Sequence, residues 1–274
     1  MSQIEREIKI LNVDIDKILQ KMRDLGVEPK GKYIQDVYTF DFPKLQDSYK
    51  KNIEILRNTG DNRGLISIIR EARVCFSKED VEEIEEIIGQ RDLVKYIEVN
   101  GDSSVLDNKQ LIDLMSRANE IFFKWIRLRQ TGDETTITIK KVVDGKGEYD
   151  LDAVEELEFG VPNIVIGKSF LENMGYFPAR HQKKMRIAYD YENTEVVIDK
   201  WPKIPPYIEV EGKTKEEIYH VVNALGFKPE DVKIINTDDV YSLNELDLYS
   251  FKDLDFSDVE LEMIGKYIST EEKK

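Results

Sequence analysis

The chain has 274 residues, 41 % of them apolar and 35 % charged, with a formal net charge of −15. This gives enough apolar material for one large domain or two small ones. It is too acidic for a duplex nucleic-acid binder, which needs a basic footprint to neutralise phosphate, although a local basic pocket is still allowed. One cysteine, Cys75, and two histidines, His181 and His220, exclude an intrachain disulfide and a Cys/His zinc cluster. Any metal must be held mostly by carboxylates, which selects a hard ion such as Mg²⁺ or Mn²⁺. The start "MSQIEREIK" is not a signal peptide, and no apolar run approaches the length of a membrane span. A cytoplasmic protein without a membrane partner is expected.

The first strand candidate is "IEREIKIL", residues 4–11. With period two, Glu5, Glu7 and Lys9 share one face, while Ile4, Ile8 and Ile10 share the other with Arg6 interrupting them. The pattern Glu-x-Glu returns at Glu156/Glu158 and at Glu209/Glu211. Each pair precedes a helical pattern: residues 14–25, a segment near 167–174, and residues 214–225, the last opened by Thr214 as N-cap. All three helices stop alike, at Gly26, Gly175 and Gly226, with Pro29, Pro178 and Pro229 beyond. The repeating unit is strand, helix, glycine stop, strand.

Further short strands lie between these units. "YIQDVYTFDF" alternates, with Gln35, Val37 and Thr39 on one side and Asp36, Tyr38 and Phe40 on the other. "KWIRLRQ" places Trp125, Arg127 and Arg129 together, and "ETTITIKKVV" does the same for Thr136, Thr138 and Lys140. "HQKKMRIAYDY" aligns Gln182, Lys184 and Arg186, and "TEVVIDKW" leads to Asp199. The reading is α+β: a mostly antiparallel sheet carrying a few helices. Residues 44–121 break the rhythm and hold helical patterns near 78–88 and 108–121, as an inserted lid or subdomain would. Residues 228–274 read as an acidic tail with one or two surface helices and a frayed end.

Each charged face is backed by an apolar one that needs cover. Helices outside and charges inside satisfy both demands if the sheet closes, and about eight strands enclose room for one small ligand. Acids and bases confined together suit a polyanion bridged by a metal, because Arg and Lys match phosphate oxygens and carboxylates hold the ion. A triphosphate has this chemistry.

At this point the chain resembles the CYTH, or triphosphate tunnel metalloenzyme, family. The resemblance rests on Glu5-Arg6-Glu7-Ile8-Lys9, Asp36/Tyr38, Arg127/Arg129, Lys140, Glu156/Glu158, Lys184/Arg186, Asp199 and Glu209/Glu211 in that order. It covers residues 1–43 and 122–227. It implies a closed eight-stranded antiparallel tunnel, with Glu5, Glu7, Glu209 and Glu211 as metal ligands and Asp199 close by. Lys9, Arg127, Arg129, Lys140, Lys184 and Arg186 would grip phosphate, supported by Glu156 and Glu158. Glu5, Glu7, Asp199 and Lys9 are the expected catalytic set. Two features depart from the compact family core: the insertion, and Pro205-Pro206 where many relatives have a glycine-rich turn. The expected activity is metal-dependent hydrolysis of inorganic, nucleoside or thiamine triphosphate. A class IV adenylate cyclase and a non-catalytic triphosphate-binding module are the alternatives, and a homodimer is left open. Trp125 is the candidate platform for an organic group.

Overall fold

A computed structural model describes residues 3–41, 45–61, 63–64, 82, 124–142 and 151–268. The chain divides into two compact units, residues 1–40 with 125–274, and residues 41–124. The second unit holds helix α2, Leu45–Thr59, which buries Leu56 and ends at Gly60 with φ +75°. Cys75 and the helical patterns near 78–88 and 108–121 lie outside the described residues, as does the end of the chain after 268.

The first unit is built on one sheet. Its strands are β1 Gln3–Glu5, β2 Glu7–Ile10, β3 Gly31–Asp41, β4 Lys124–Thr131, β5 Glu134–Val142 and β6 Val154–Val161. They continue with β7 Phe177–Tyr191, β8 Thr194–Lys200, β9 Tyr207–Gly212, β10 Val232–Lys233 and β11 Asp253–Leu254. The ladder runs β1-β6-β5-β4-β3-β7-β8-β9-β2-β10, and β11 pairs in parallel with β7. The pairs β1·β6, β2·β9, β3·β4, β5·β6, β7·β8 and β8·β9 are antiparallel.

The opening strand resolves the puzzle of Arg6. The strand breaks there, with residues 3–5 pairing on β6 and residues 7–10 on β9. The Arg6 carbonyl accepts from the Gly212 N–H at 3.1 Å, and its guanidinium turns outward to Asp152 at 2.5 Å and the Lys213 carbonyl at 2.9 Å. Two far-apart positions of the ladder thus fall on strands separated only by Arg6.

Helices α1 Ile15–Asp24, α3 Ile164–Asn173, α4 Lys215–Ala224 and α6 Asp258–Ile268 cover the outer face, and α5 Thr237–Leu243 packs against Trp201 and Tyr207. Asp14, Asn163 and Thr214 cap the first turns of α1, α3 and α4 with their side chains, and Thr214 forms a reciprocal capping box with Glu217. The Asn163 cap starts α3 three residues before the predicted 167. Gly26, Gly175 and Gly226 stop α1, α3 and α4 at φ +73°, +90° and +90°, the left-handed conformation that glycine adopts without strain.

Ile8, Ile10, Ile187, Ile198 and Val210 of the sheet pack with Ile18 and Met22 of α1, Ile218 and Val222 of α4, and Ile264 of α6. Around β3–β5, Phe40, Ile126, Leu128 and Ile137 pack with Leu171 of α3. There α3 approaches so closely that a Cβ on Gly167 would lie 2.5 Å from Leu128. The segment after 228 is more than a solvated tail. It adds β10 and β11 to the sheet and buries Val240, Tyr241, Leu248 and Leu254 with Trp201 and Tyr207. No described helix is long and apolar enough to cross a membrane.

Candidate metal and phosphate site

The inner face of the sheet lines a cavity of about 470 Å³. Strand alternation brings its charged side chains together. Glu5, Glu7 and Lys9 come from β1 and β2, Arg127 and Arg129 from β4, Lys140 from β5, and Glu156 and Glu158 from β6. Lys184 and Arg186 come from β7, and Glu209 and Glu211 from β9. Asp199 is fully buried behind this wall, accepting from Lys184 at 2.7 Å and from two nitrogens of Arg186 at 2.7 and 2.6 Å. Trp125 is not among the lining residues. The tryptophan on the wall is Trp201.

Two poles differ in how well the protein itself balances them. Around Glu209, register sets Lys9 directly across β2·β9, with the ammonium 3.1 Å from the carboxylate. Arg186 reaches Glu209 from β7 at 2.6 Å, and Lys9 also bonds Glu7. Burial alone would raise the Glu209 pKa, but Lys9, Arg186 and Lys184 hold it well below the usual carboxylate value.

The other pole collects like charges. Glu7 faces Glu211 across the same ladder, and Glu5, Glu7 and Glu211 each offer an oxygen within 4.8 Å of the others. Burial, then Glu5, Glu7 and Glu156, push Glu211 up to about 8. Glu7 is raised as well, by burial and then by Glu209, despite its bond to Lys9. Lys140 bonds Glu5, lies 3.0 Å from Glu156, and offsets only part of the like charge around Glu211. Three clustered hard oxygen donors with an excess of negative charge fit a divalent cation of the Mg²⁺ or Mn²⁺ kind.

The cations show the complementary shortage. Burial, then Arg127 and Arg186, bring Arg129 down to about 10, although Glu158 accepts from it at 2.9 Å. Burial and then Arg186 bring Lys184 down to about 8. The Nε atoms of Arg127 and Arg129 and the indole Nε1 of Trp201 are buried without a hydrogen-bond partner.

Residues that the motifs did not single out complete the wall. They include Lys30, Tyr33, Gln35, Thr136, Glu195 and Trp201 from the strands and their approaches, and Asn236 and Thr237 from the segment after 228. Alternation along β8 (Glu195, Val197, Asp199, then Trp201) is the signal that points to Trp201. His181, Tyr38 and Tyr189 are elsewhere. His181 stacks on Tyr38 and bonds Asp36 at 2.8 Å, and Tyr189 is in the outer core.

No family model and no curated protein matches the sequence. Solved structures do. The PH1012 protein of Pyrococcus horikoshii OT3 is 17 % identical, with 86 % of this chain and 98 % of that one covered at a TM-score of 0.50. A candidate adenylate cyclase of Vibrio parahaemolyticus is 12 % identical, with 88 % and 99 % covered at a TM-score of 0.51. At these identities the likeness is one of fold. In fold, the chain is similar to both of these proteins over most of its length.

Proposed function

We propose that the sheet closes through its broken first strand into an eight-stranded tunnel, and that this tunnel hydrolyses a triphosphate with Mg²⁺ or Mn²⁺. The observation that carries this reading is the double imbalance inside one cavity. Three carboxylates crowd together with an ammonium bonded to Glu5 and to Glu7 but, among the described residues, none to Glu211, and Arg129 and Lys184 are held below their ordinary values among other cations. A metal–triphosphate complex offsets both, with positive charge at one pole and negative charge at the other.

Glu5, Glu7 and Glu211 would hold the ion, which when bound supplies charge neutralisation and an acidified water. Arg127, Arg129, Lys184 and Arg186 bind the phosphate oxygens and stabilise charge that develops on the transferring phosphoryl group. Asp199 positions Lys184 and Arg186, gripping the latter in a two-point fork. Glu158, bonded to Arg129 and to the Thr138 hydroxyl at 2.6 Å, fixes the direction of that guanidinium. Lys9 ties Glu7 to Glu209 and holds the strand carrying the ligands in register.

The test is product analysis with inorganic triphosphate, ATP and thiamine triphosphate, each with Mg²⁺ and with Mn²⁺. Metal-dependent phosphate release that falls at least ~100-fold in Glu7→Gln supports the proposal. Wild-type turnover in that variant rules out the metal assignment. Cyclic AMP with pyrophosphate identifies a cyclase instead, and tight binding without turnover identifies a binding module.

A further inference from the structure

We propose that Arg6 is a positioning residue for the cation site: its guanidinium staples the seam at which Glu5 and Glu7 change partner strands, and so holds both toward the same ion as Glu211. This rests on the metal reading above. Its observation is separate, because Arg6 interrupts the apolar outer face of the opening strand and does not line the cavity.

Glu5 and Glu7 belong to different strand pairs. Glu5 stands opposite Val154 of β6, and Glu7 opposite Glu211 of β9. β6 and β9 lie near opposite ends of the ladder, and the chain passes from one to the other at Arg6. Period two keeps alternate side chains on one face only within a regular strand, and a break carries no such guarantee. The placement of Glu5 against Glu7 and Glu211 is therefore set by whatever holds the break.

Arg6 holds it on both sides. Its carbonyl accepts from the Gly212 N–H at 3.1 Å, one residue past Glu211. Its Nε donates to Asp152 at 2.5 Å, on the approach to Val154, and its Nη1 donates to the Lys213 carbonyl at 2.9 Å. Both anchors are firmly seated. Leu151 packs against the main core and Ala153 is fully buried, on either side of Asp152. Gly212 lies so close beneath α4 that a Cβ there would be 3.0 Å from Ile218. A guanidinium suits this place, because its N–H groups diverge in one rigid plane and can reach two segments at once, whereas an ammonium is a point charge on a flexible stem. An ion held by Glu5 from one side of the break, and by Glu7 and Glu211 from the other, would bridge the seam from within as Arg6 bridges it from outside. Each then favours the closed seam that the other needs, so staple and ion are thermodynamically coupled.

The experiment compares the full wild-type chain with Arg6→Ala, Arg6→Lys and Asp152→Asn, by Mn²⁺ titration calorimetry and by amide hydrogen exchange with and without Mn²⁺. Mn²⁺ should bind about tenfold more weakly, or worse, in Arg6→Ala and Asp152→Asn. Arg6→Lys, which keeps the charge and one contact, should recover part of the loss. Lys266→Ala, which breaks the exposed ion pair with Asp16 at 3.2 Å, should leave Mn²⁺ affinity unchanged. In metal-free Arg6→Ala the Gly212 amide should exchange faster than in wild type, and saturating Mn²⁺ should slow it by a larger factor than in wild type. The amides of Val196 and Ile198, in the buried core, should exchange as in wild type. Wild-type Mn²⁺ affinity in Arg6→Ala overturns the inference and leaves the metal reading standing. Equal acceleration at Gly212, Val196 and Ile198 also overturns it, since Arg6 would then serve the fold at large. A wild-type chain that binds no Mn²⁺ overturns both.

Discussion

Glu209 and Glu211 are the same residue type, on the same strand and the same face, two positions apart, yet their environments drive them in opposite directions. Lys9, Arg186 and Lys184 hold Glu209 far below the usual carboxylate value, while burial with Glu5, Glu7 and Glu156 raises Glu211 to about 8. The cause is register. Lys9 stands opposite Glu209, and Glu7 stands opposite Glu211. A Glu-x-Glu strand can therefore contribute one carboxylate that completes an internal ion network and one that waits for an external cation. The motif alone does not say which is which.

The largest expected effect separates the two in the metal-free protein. Glu209→Gln removes one of the two carboxylates paired with each of Lys9 and Arg186, in a site where its own side chain is only 9 % exposed. Breaking a buried pair from one side costs roughly 3–5 kcal/mol, so the denaturant midpoint should fall sharply. Glu211→Gln replaces a carboxyl whose charged form is already disfavoured by burial and its acidic neighbours, and should leave stability unchanged or raised. If the two variants behave in the reverse order, the roles assigned to these carboxylates are exchanged.

Metal reverses the ranking. With Mn²⁺ at about 100 times its dissociation constant, wild-type protein should gain about 2.7 kcal/mol against unfolding. Glu211→Gln should lose nearly all of that gain, because only Glu5 and Glu7 remain of the triad. A full gain in that variant places the ion elsewhere. Calorimetric or thermal unfolding with and without the metal reads this directly.

Much of this arrangement was legible in the sequence, for a physical reason. Period two decides which side chains share a face whatever the partner strand, so Glu5/Glu7/Lys9, Arg127/Arg129 and Lys184/Arg186 could be grouped before any pairing was known. The stops at Gly26, Gly175 and Gly226 were equally local, since a left-handed residue after a helix needs nothing from the rest of the chain. What could not be read was what depends on pairing. Glu209 and Glu211 look equivalent until Lys9 and Glu7 are placed opposite them. Trp125 and Trp201 each sit on a plausible inward face, and only the assembled wall includes Trp201. The segment after 228 reads as surface in the sequence because its buried residues, Val240, Tyr241, Leu248 and Leu254, are scattered over elements of two to seven residues amid acid. Such short elements carry too few periods to show a face.

The smallest expected effect is a proton. Glu211 titrates near 4.5 when unperturbed and near 8 in the folded chain, so around neutral pH the folded protein holds a proton that the unfolded chain has lost. Stability of the metal-free protein should therefore fall as pH rises between those two values, the sign for an acid whose folded pKa is raised. A cation binding to the triad must displace that proton. At pH 7 about one proton should be released per ion bound. Titration calorimetry in buffers of different ionisation enthalpy measures the number. Glu5→Gln sharpens the result, because Glu5 is the leading like-charge neighbour of Glu211. Removing it should lower the Glu211 pKa and reduce the released fraction, with weaker metal binding. An unchanged proton count in Glu5→Gln would mean that burial, Glu7 and Glu156 raise Glu211 without help from Glu5, and that Glu5 contributes little to its readiness for a cation.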